Sequence, residues 1–203
     1  EVVQSYDTRD SILYALGVGL NMDPLDEEQL RFTYEDNMNA LPTMAVVLGT
    51  PGFWVKDPDS GIDWVKVLHG EQGMVLHKPL PPAATVTATT KVTEIIDKGE
   101  GKGALLLQER TVTDQATGDK LATLYSTTFA RGDGGFGGPT TGARPVHSLP
   151  EREPDMVCDL PTLPQAALIY RLSGDYNPLH ADPNVAKGGG FKAPILHGLC
   201  SFG

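Results

Sequence analysis

Thr85-Val-Thr-Ala-Thr-Thr-Lys-Val-Thr-Glu-Ile-Ile96 alternates along its length and is rich in β-branched residues, the pattern of a strand with one face on a core. Two more such runs follow, Ala104-Leu-Leu-Leu-Gln-Glu-Arg-Thr-Val-Thr113 and Leu121-Ala-Thr-Leu-Tyr-Ser-Thr-Thr-Phe129. The segments between them, Lys98-Gly-Glu-Gly-Lys-Gly103 and Asp114-Gln-Ala-Thr-Gly-Asp119, are glycine-bearing and short enough for hairpins. Successive antiparallel strands are therefore expected. Upstream, Ile12, Leu13, Leu16 and Leu20 share one face of a helix over Ser11–Leu20 that Asp10 or Ser11 can cap. Pro42-Thr-Met-Ala-Val-Val-Leu48 is almost wholly apolar, opened by proline and closed by Gly49, which suits a buried helix of about two turns, although the β-branched Val46 and Val47 would also permit a strand. A buried helix ahead of a long-stranded antiparallel sheet is an α+β layout, with the sheet covering the helix.

Composition narrows the function classes. A net charge of −10 over 203 residues argues against a surface that tracks nucleic acid. An anionic ligand would need a local basic patch, for which Lys98, Lys102, Lys187 and Lys192 are candidates. Cys158 and Cys200 are the only cysteines, too few for a disulfide framework or a cysteine-built zinc site, which favours a reducing compartment. No apolar run approaches the roughly 20 residues of a membrane span, and the first residues lack the plan of a signal peptide. The stretch from Gly132 to Pro154 is rich in glycine, proline and threonine and marks a boundary or crossover. Aligning Pro42 with Pro194 suggests a weak repeat in which Ala45 and Val46 stand where the second copy has His197 and Gly198.

The densest chemistry lies in Tyr170-Arg-Leu-Ser-Gly-Asp175-Tyr-Asn177-Pro-Leu-His180 and Ala193-Pro-Ile-Leu-His197-Gly198-Leu-Cys200. Gly174 and Pro178 force a turn that can gather the Asp175 carboxylate, the Asn177 amide and the His180 imidazole around one small volume. Such a turn can hold a water between a base and an acid, as addition of water to a polarised double bond requires. A helix opening at Pro194 would offer backbone N–H groups, that of Gly198 among them, to a developing oxyanion. Structural readings compete. Histidine beside a proline turn can simply be packed, and Asp after Gly is a common turn former. His197 reads as a packed residue and His69 as part of a turn. The Gly132–Gly138 run reads as a linker, because no Gly-Lys-Ser/Thr follows it. Gly17-Val-Gly19 lacks the third glycine of a dinucleotide site.

These two segments resemble the signature of the MaoC-like hydratase 2 enzymes, the (R)-specific 2-enoyl-CoA hydratases. The resemblance extends through Tyr14-Ala-Leu-Gly-Val-Gly19, Tyr34-Glu35, Leu41-Pro-Thr43, Val67-Leu-His-Gly-Glu-Gln72, Lys78-Pro-Leu-Pro81, Asp97-Lys-Gly99 and Gly134-Gly-Phe-Gly-Gly138, as in the hydratase 2 domain of the peroxisomal multifunctional β-oxidation enzyme. It implies a double hot-dog fold, each half wrapping an antiparallel sheet around a central helix. Residues 1–138 would form the first hot-dog, 139–155 a linker, and 156–203 the start of a catalytic second one, with roughly 80 residues of its sheet wanting by analogy with the first. The resemblance makes Asp175 and His180 the acid/base pair, Asn177 their assistant and the Gly198 N–H the oxyanion donor. It assigns His69, Gly70, Lys98, Tyr176, Pro178, Leu179 and Glu35 to the substrate, an acyl-CoA, with no metal or redox cofactor. It further implies a peroxisomal setting and a homodimer or a place in a larger multifunctional polypeptide. Two alternatives are a non-catalytic acyl-CoA-binding module and a hot-dog thioesterase.

Overall fold

The computed structural model describes residues 1–146 and 148–203. Five strands, β1 (Val2–Tyr6), β2 (Val67–Leu76), β3 (Ala84–Asp97), β4 (Ala104–Asp114) and β5 (Lys120–Ala130), form one sheet in the order β1-β3-β4-β5-β2. Every pairing is antiparallel. The alternation foretells β3, β4 and β5 to within a residue or so of each end. The two edge strands are additions: β1 is short, and β2 carries Gly70 and Gly73 and a bulge between His69 and Glu71. Strand pairing with β5, rather than local propensity, straightens that segment. His69 accordingly lies in a strand, not in the turn expected from its glycine neighbour.

One face of this sheet curls over Pro42–Val47, which is buried from Met44 to Leu48 and packs on Val86, Ala88, Val112, Ala122 and Leu124. The segment is the expected central helix, wound as a tight 3-10 helix rather than an α-helix. Consecutive Val46 and Val47 disfavour the α form, and the next residue, Leu48, is already extended. This is a hot-dog: a sheet around a buried helical segment. Helix α1 (Thr8–Gly17) starts earlier than expected, because Asp7 caps it and forms a reciprocal capping box with Asp10.

Beyond Ala130 the described residues contain helices and no strand: α2 (Ala166–Tyr170), α3 (Pro183–Gly188) and α4 (Gly198–Phe202), with short 3-10 turns at Arg171–Ser173 and Pro178–His180. Within the expected linker 139–155, position 147 lies outside the described residues, and the others are irregular or bent. The preceding glycine run is not a free linker. The Asp97 carboxylate accepts the N–H groups of Gly99, Gly135 and Gly137, each at 2.8 Å, which ties the run to the end of β3 and holds that carboxyl below the usual range. The second-half helices dock on α1. Gly17 sits where a Cβ would lie 3.4 Å from the Cα of Tyr170, and the Cys200 thiol donates to the Gly17 carbonyl at 3.3 Å. Gly17 of Gly17-Val-Gly19 thus belongs to an interface between the halves, and Tyr170 and Cys200 complete the core of the first half.

Gly49 closes the central segment with φ of 58° and donates its N–H to Gln4 Oε1 at 2.6 Å. A Cβ there would overlap the Cβ of Ala88. Gly49→Ala therefore combines backbone strain with overpacking and should cost about 3 kcal/mol in urea unfolding. Gly118→Ala, with φ of 74° but nothing within 4 Å of the new methyl group, should cost only about 1 kcal/mol. Equal losses would refute this account of the closure.

Candidate active site

The turn that carries the acid/base residues is built by backbone rules. The 3-10 turn Arg171–Ser173 ends at Gly174, whose φ of 119° is open to glycine. The chain then reverses and presents Asp175, whose Oδ1 accepts the Asn177 N–H at 3.1 Å. Asn177 caps the Pro178–His180 turn, its Oδ1 accepting the Leu179 N–H at 3.0 Å. The amide oxygen of Asn177 thus gives one lone pair to the backbone, and its NH2 group is free to donate to a ligand. Pro178 opens the turn, and Leu179 lies against the position of Gly189.

His180 is held from behind. Its Nδ1 lies 2.8 Å from the Ile195 carbonyl oxygen. A carbonyl only accepts, so Nδ1 carries the proton and the neutral ring presents the Nε2 lone pair. No helix opens at Pro194: the Ile195 carbonyl serves His180, and α4 begins only at Gly198 with His197 as its N-cap. The alignment of Pro42 with Pro194 fails for that reason, since Pro42 does open its helix. Gly198 occupies the first position of α4, so its N–H has no acceptor within the helix, and nothing lies within 4 Å of a Cβ built on it.

His197 is the member whose placement the sequence does not give. It is 2% exposed and stacks on His180 with ring centroids 3.7 Å apart and planes 26° apart. Its Nε2 donates to the Asp175 carbonyl oxygen at 3.2 Å and lies 4.0 Å from Asp175 Oδ2, while Nδ1 is buried without a partner among the described residues. Burial lowers its pKa, and the neighbouring His180 lowers it further against the opposing pull of Asp175. Tyr170 packs on its other side at 5.0 Å, and Tyr14 lies 6.0 Å beyond. Burial pushes the Tyr14 phenol up to about 12 and the Tyr170 phenol higher still, so both are neutral. The only signal for His197 in the sequence is its place directly before Gly198.

Asp175, His180 and His197 offer donor atoms that all lie within 4.8 Å of one another. Among the described residues they form the group to weigh for a metal, and the stacking of the two imidazoles, 26° from parallel, is a poor arrangement for directing two in-plane lone pairs at one ion. The half-exposed Asp175 carboxylate and a ring nitrogen of His180 lie within 4.8 Å of each other, a separation that one water can bridge.

Of the first-half candidates, His69 lies on the concave face of β2, opposite Thr128. Burial lowers its pKa, and the charges of Asp175 and Arg110 act on it with opposite sign, so His69 stands between the acid/base turn and the sheet interior. Gly70 is the extra residue of the bulge, where a Cβ would come within 3.0 Å of the Thr127 carbonyl oxygen. Lys98 and Lys102 line a groove of about 660 Å³ at the sheet end where His69 also lies. Tyr176 is exposed, with the Arg171 guanidinium 5.0 Å from its ring centroid. Glu35 is exposed beyond the Gln29–Phe32 turn and makes no hydrogen bond to the cluster among the described residues. No helix in the described residues is long and apolar enough to cross a membrane.

Comparison with known proteins matches residues 4–132 to the MFE-2 hydratase 2 N-terminal domain and residues 145–203 to the MaoC like domain. The enoyl-CoA hydratase ChsH3 of Mycobacterium tuberculosis is 42% identical over 98% of this chain and 70% of its own length. The peroxisomal enoyl-CoA hydratase 2 of Arabidopsis thaliana is 38% identical over 100% of this chain and 70% of its own. A MaoC-like dehydratase from Phytophthora capsici superposes with a TM-score of 0.83 at 37% identity, over 99% of this chain and 70% of that one. With the family match covering more than half its length and relatives aligned along nearly all of this chain, the chain belongs to the MFE-2 hydratase 2 family, its second half being a MaoC-like domain.

Proposed function

We propose that this chain is an (R)-specific 2-enoyl-CoA hydratase, a hydro-lyase adding water reversibly to a trans-2-enoyl-CoA to give the (3R)-3-hydroxyacyl-CoA. The observation that carries the reading is the Asp175–His180 pair, within 4.8 Å, with the Nδ1 of His180 tied to the Ile195 carbonyl so that Nε2 is the lone-pair nitrogen of the neutral tautomer. A water between them is oriented by the Asp175 carboxylate and loses its proton to Nε2 as its oxygen bonds to C3. The C2–C3 π pair moves to C2 and the thioester oxygen, where the Gly198 N–H meets the enolate charge. The imidazolium, stabilised by Asp175, then returns the proton to C2. Asn177 donates from its NH2 group to the water or the thioester. Each bond made is matched by one broken, and no redox step arises.

His69 and Gly70 flank the acyl portion, with Tyr176, Pro178 and Leu179 at the mouth of the turn, while Lys98 and Lys102 offer positive charge to the coenzyme phosphates on an otherwise acidic chain. Glu35 acts on turnover from outside the cluster seen here. Kinship with peroxisomal enzymes and multifunctional polypeptides favours a peroxisomal β-oxidation setting, as a homodimer or as one module of a larger chain. A thioesterase needs water to attack the carbonyl carbon, which a donor at the carbonyl oxygen also helps; the kinship decides for the alkene.

Asp175→Asn and His180→Gln should each lower kcat for crotonyl-CoA hydration by about 100- to 10,000-fold, followed as loss of the enoyl absorbance, with unchanged far-UV circular dichroism. Full turnover in either variant sinks the proposal. Lys98→Ala together with Lys102→Ala should raise KM roughly fivefold, and the rise should shrink as ionic strength increases; a salt-independent change would exclude a phosphate contact. A pH dependence of stability follows from His197. Its folded pKa lies below the unfolded value near 6.5, so the unfolded chain binds the extra proton first. Its contribution is complete above about pH 6.5 and falls as pH drops toward the folded pKa, by up to about 1.4 kcal/mol per pH unit. His197→Gln should flatten that decline in Tm between pH 7 and 5; an unaltered slope would show that His197 is not the group held neutral.

A further inference from the structure

The concave face of the sheet changes character along its strands. Near the central segment it is apolar, but the cross-strand rows beyond carry Thr90, Arg110, Gln108, Ser126 and Gln72 before reaching Thr128 and His69. Arg110 points into this face, because its Nη2 donates to the Val46 carbonyl oxygen at 2.6 Å. It has no ion pair and no other hydrogen bond among the described residues. That leaves most of its five donors unused, although burial pushes the guanidinium down to about 10. Across the pairing from it, the Thr90 hydroxyl is buried without a partner among the described residues. A cation and a hydroxyl left unmatched side by side in a shielded place are costly unless something completes them. Capping the 3-10 helix explains one of the guanidinium N–H groups and leaves the rest and Thr90 unexplained.

We propose that Arg110 selects the acyl group, binding a hydrogen-bond-accepting oxygen on the acyl chain beyond the reacting carbons, so that the preferred substrate is an oxygenated acyl-CoA rather than a plain alkyl one. The inference rests on the hydratase reading for the placement of the reacting carbons. An acyl chain leaving Asp175 and His180 passes His69, and from there the polar row of Gln108 and Ser126 leads along the same face to Arg110 and Thr90. A carboxylate would meet the guanidinium with two parallel bonds, and a ketone or hydroxyl with one.

The test compares three enoyl-CoA thioesters of equal length on the whole protein: one with a plain alkyl end, one with a distal ketone and one with a distal carboxylate. The wild type should favour an oxygenated substrate at least tenfold in kcat/KM, and Arg110→Met should cut that ratio at least tenfold, mainly through KM. Arg110→Lys should restore part of it for the carboxylate. Equal losses on all three substrates would mean that Arg110 only braces Val46, and a wild-type preference for the alkyl end would overturn the proposal while leaving the hydratase intact. If nothing is hydrated, binding of the saturated thioesters decides independently: an Arg110-dependent preference for the oxygenated one upholds the site, and equal affinities overturn it.

Discussion

A column of rings, Tyr14, Tyr170, His197 and His180, runs from the buried floor of the first half to the face of the acid/base turn, with centroids 6.0, 5.0 and 3.7 Å apart in succession. The position of His180 depends on it. Tyr14 belongs to α1 and to the hot-dog core, while Tyr170 and His197 come from elements with no sheet of their own among the described residues. The acid/base turn is therefore fixed by the first half, at the contact that Gly17 opens and that the Cys200 thiol closes. Aromatic side chains suit this role because they bury much area with few rotatable bonds. The Tyr170 hydroxyl and the His197 Nδ1, which find no partner among the described residues, are its cost, and the neutral states that burial enforces keep that cost from growing.

The parts of the fold legible in the sequence are those where a local pattern and the tertiary environment agree. Strands β3, β4 and β5 alternate because each has one face on the core, and the turns between them bear glycine where φ is positive, at Gly99, Gly101, Gly103 and Gly118. The edge strands were not legible. β1 is five residues long and β2 is interrupted by Gly70 and Gly73, so their order comes from partners distant in sequence. The start of α1 was misplaced by propensity, since the decisive signal was the reciprocal pair Asp7 and Asp10 rather than the apolar face.

For the site, the spacing from Asp175 to His180 was sufficient, because all the intervening geometry is local: a glycine with positive φ, an Asx turn and a proline-led turn. The contacts across distance were not. That Ile195 would hold His180, that His197 would stack on it, and that His69 would feel the charge of Asp175 are facts of packing between segments 15 to more than 100 residues apart. Asn177 shows a double use that the spacing does not announce: expected to assist the acid/base pair, it also caps the Pro178–His180 turn through its oxygen.

Division of labour between the halves follows from where charge is permitted. The second half holds a half-exposed carboxylate and imidazoles whose tautomers are set by backbone carbonyls, a set suited to the proposed proton transfer. The first half supplies a shielded sheet face on which a single guanidinium is left without a counter-charge. His69 lies in the field of both, raised by Asp175 and lowered by Arg110, so any ligand that neutralises Arg110 also shifts His69 toward its protonated form. On the proposed acyl site, a carboxylate held at Arg110 therefore acts on His69 through the field alone, without any movement of the backbone.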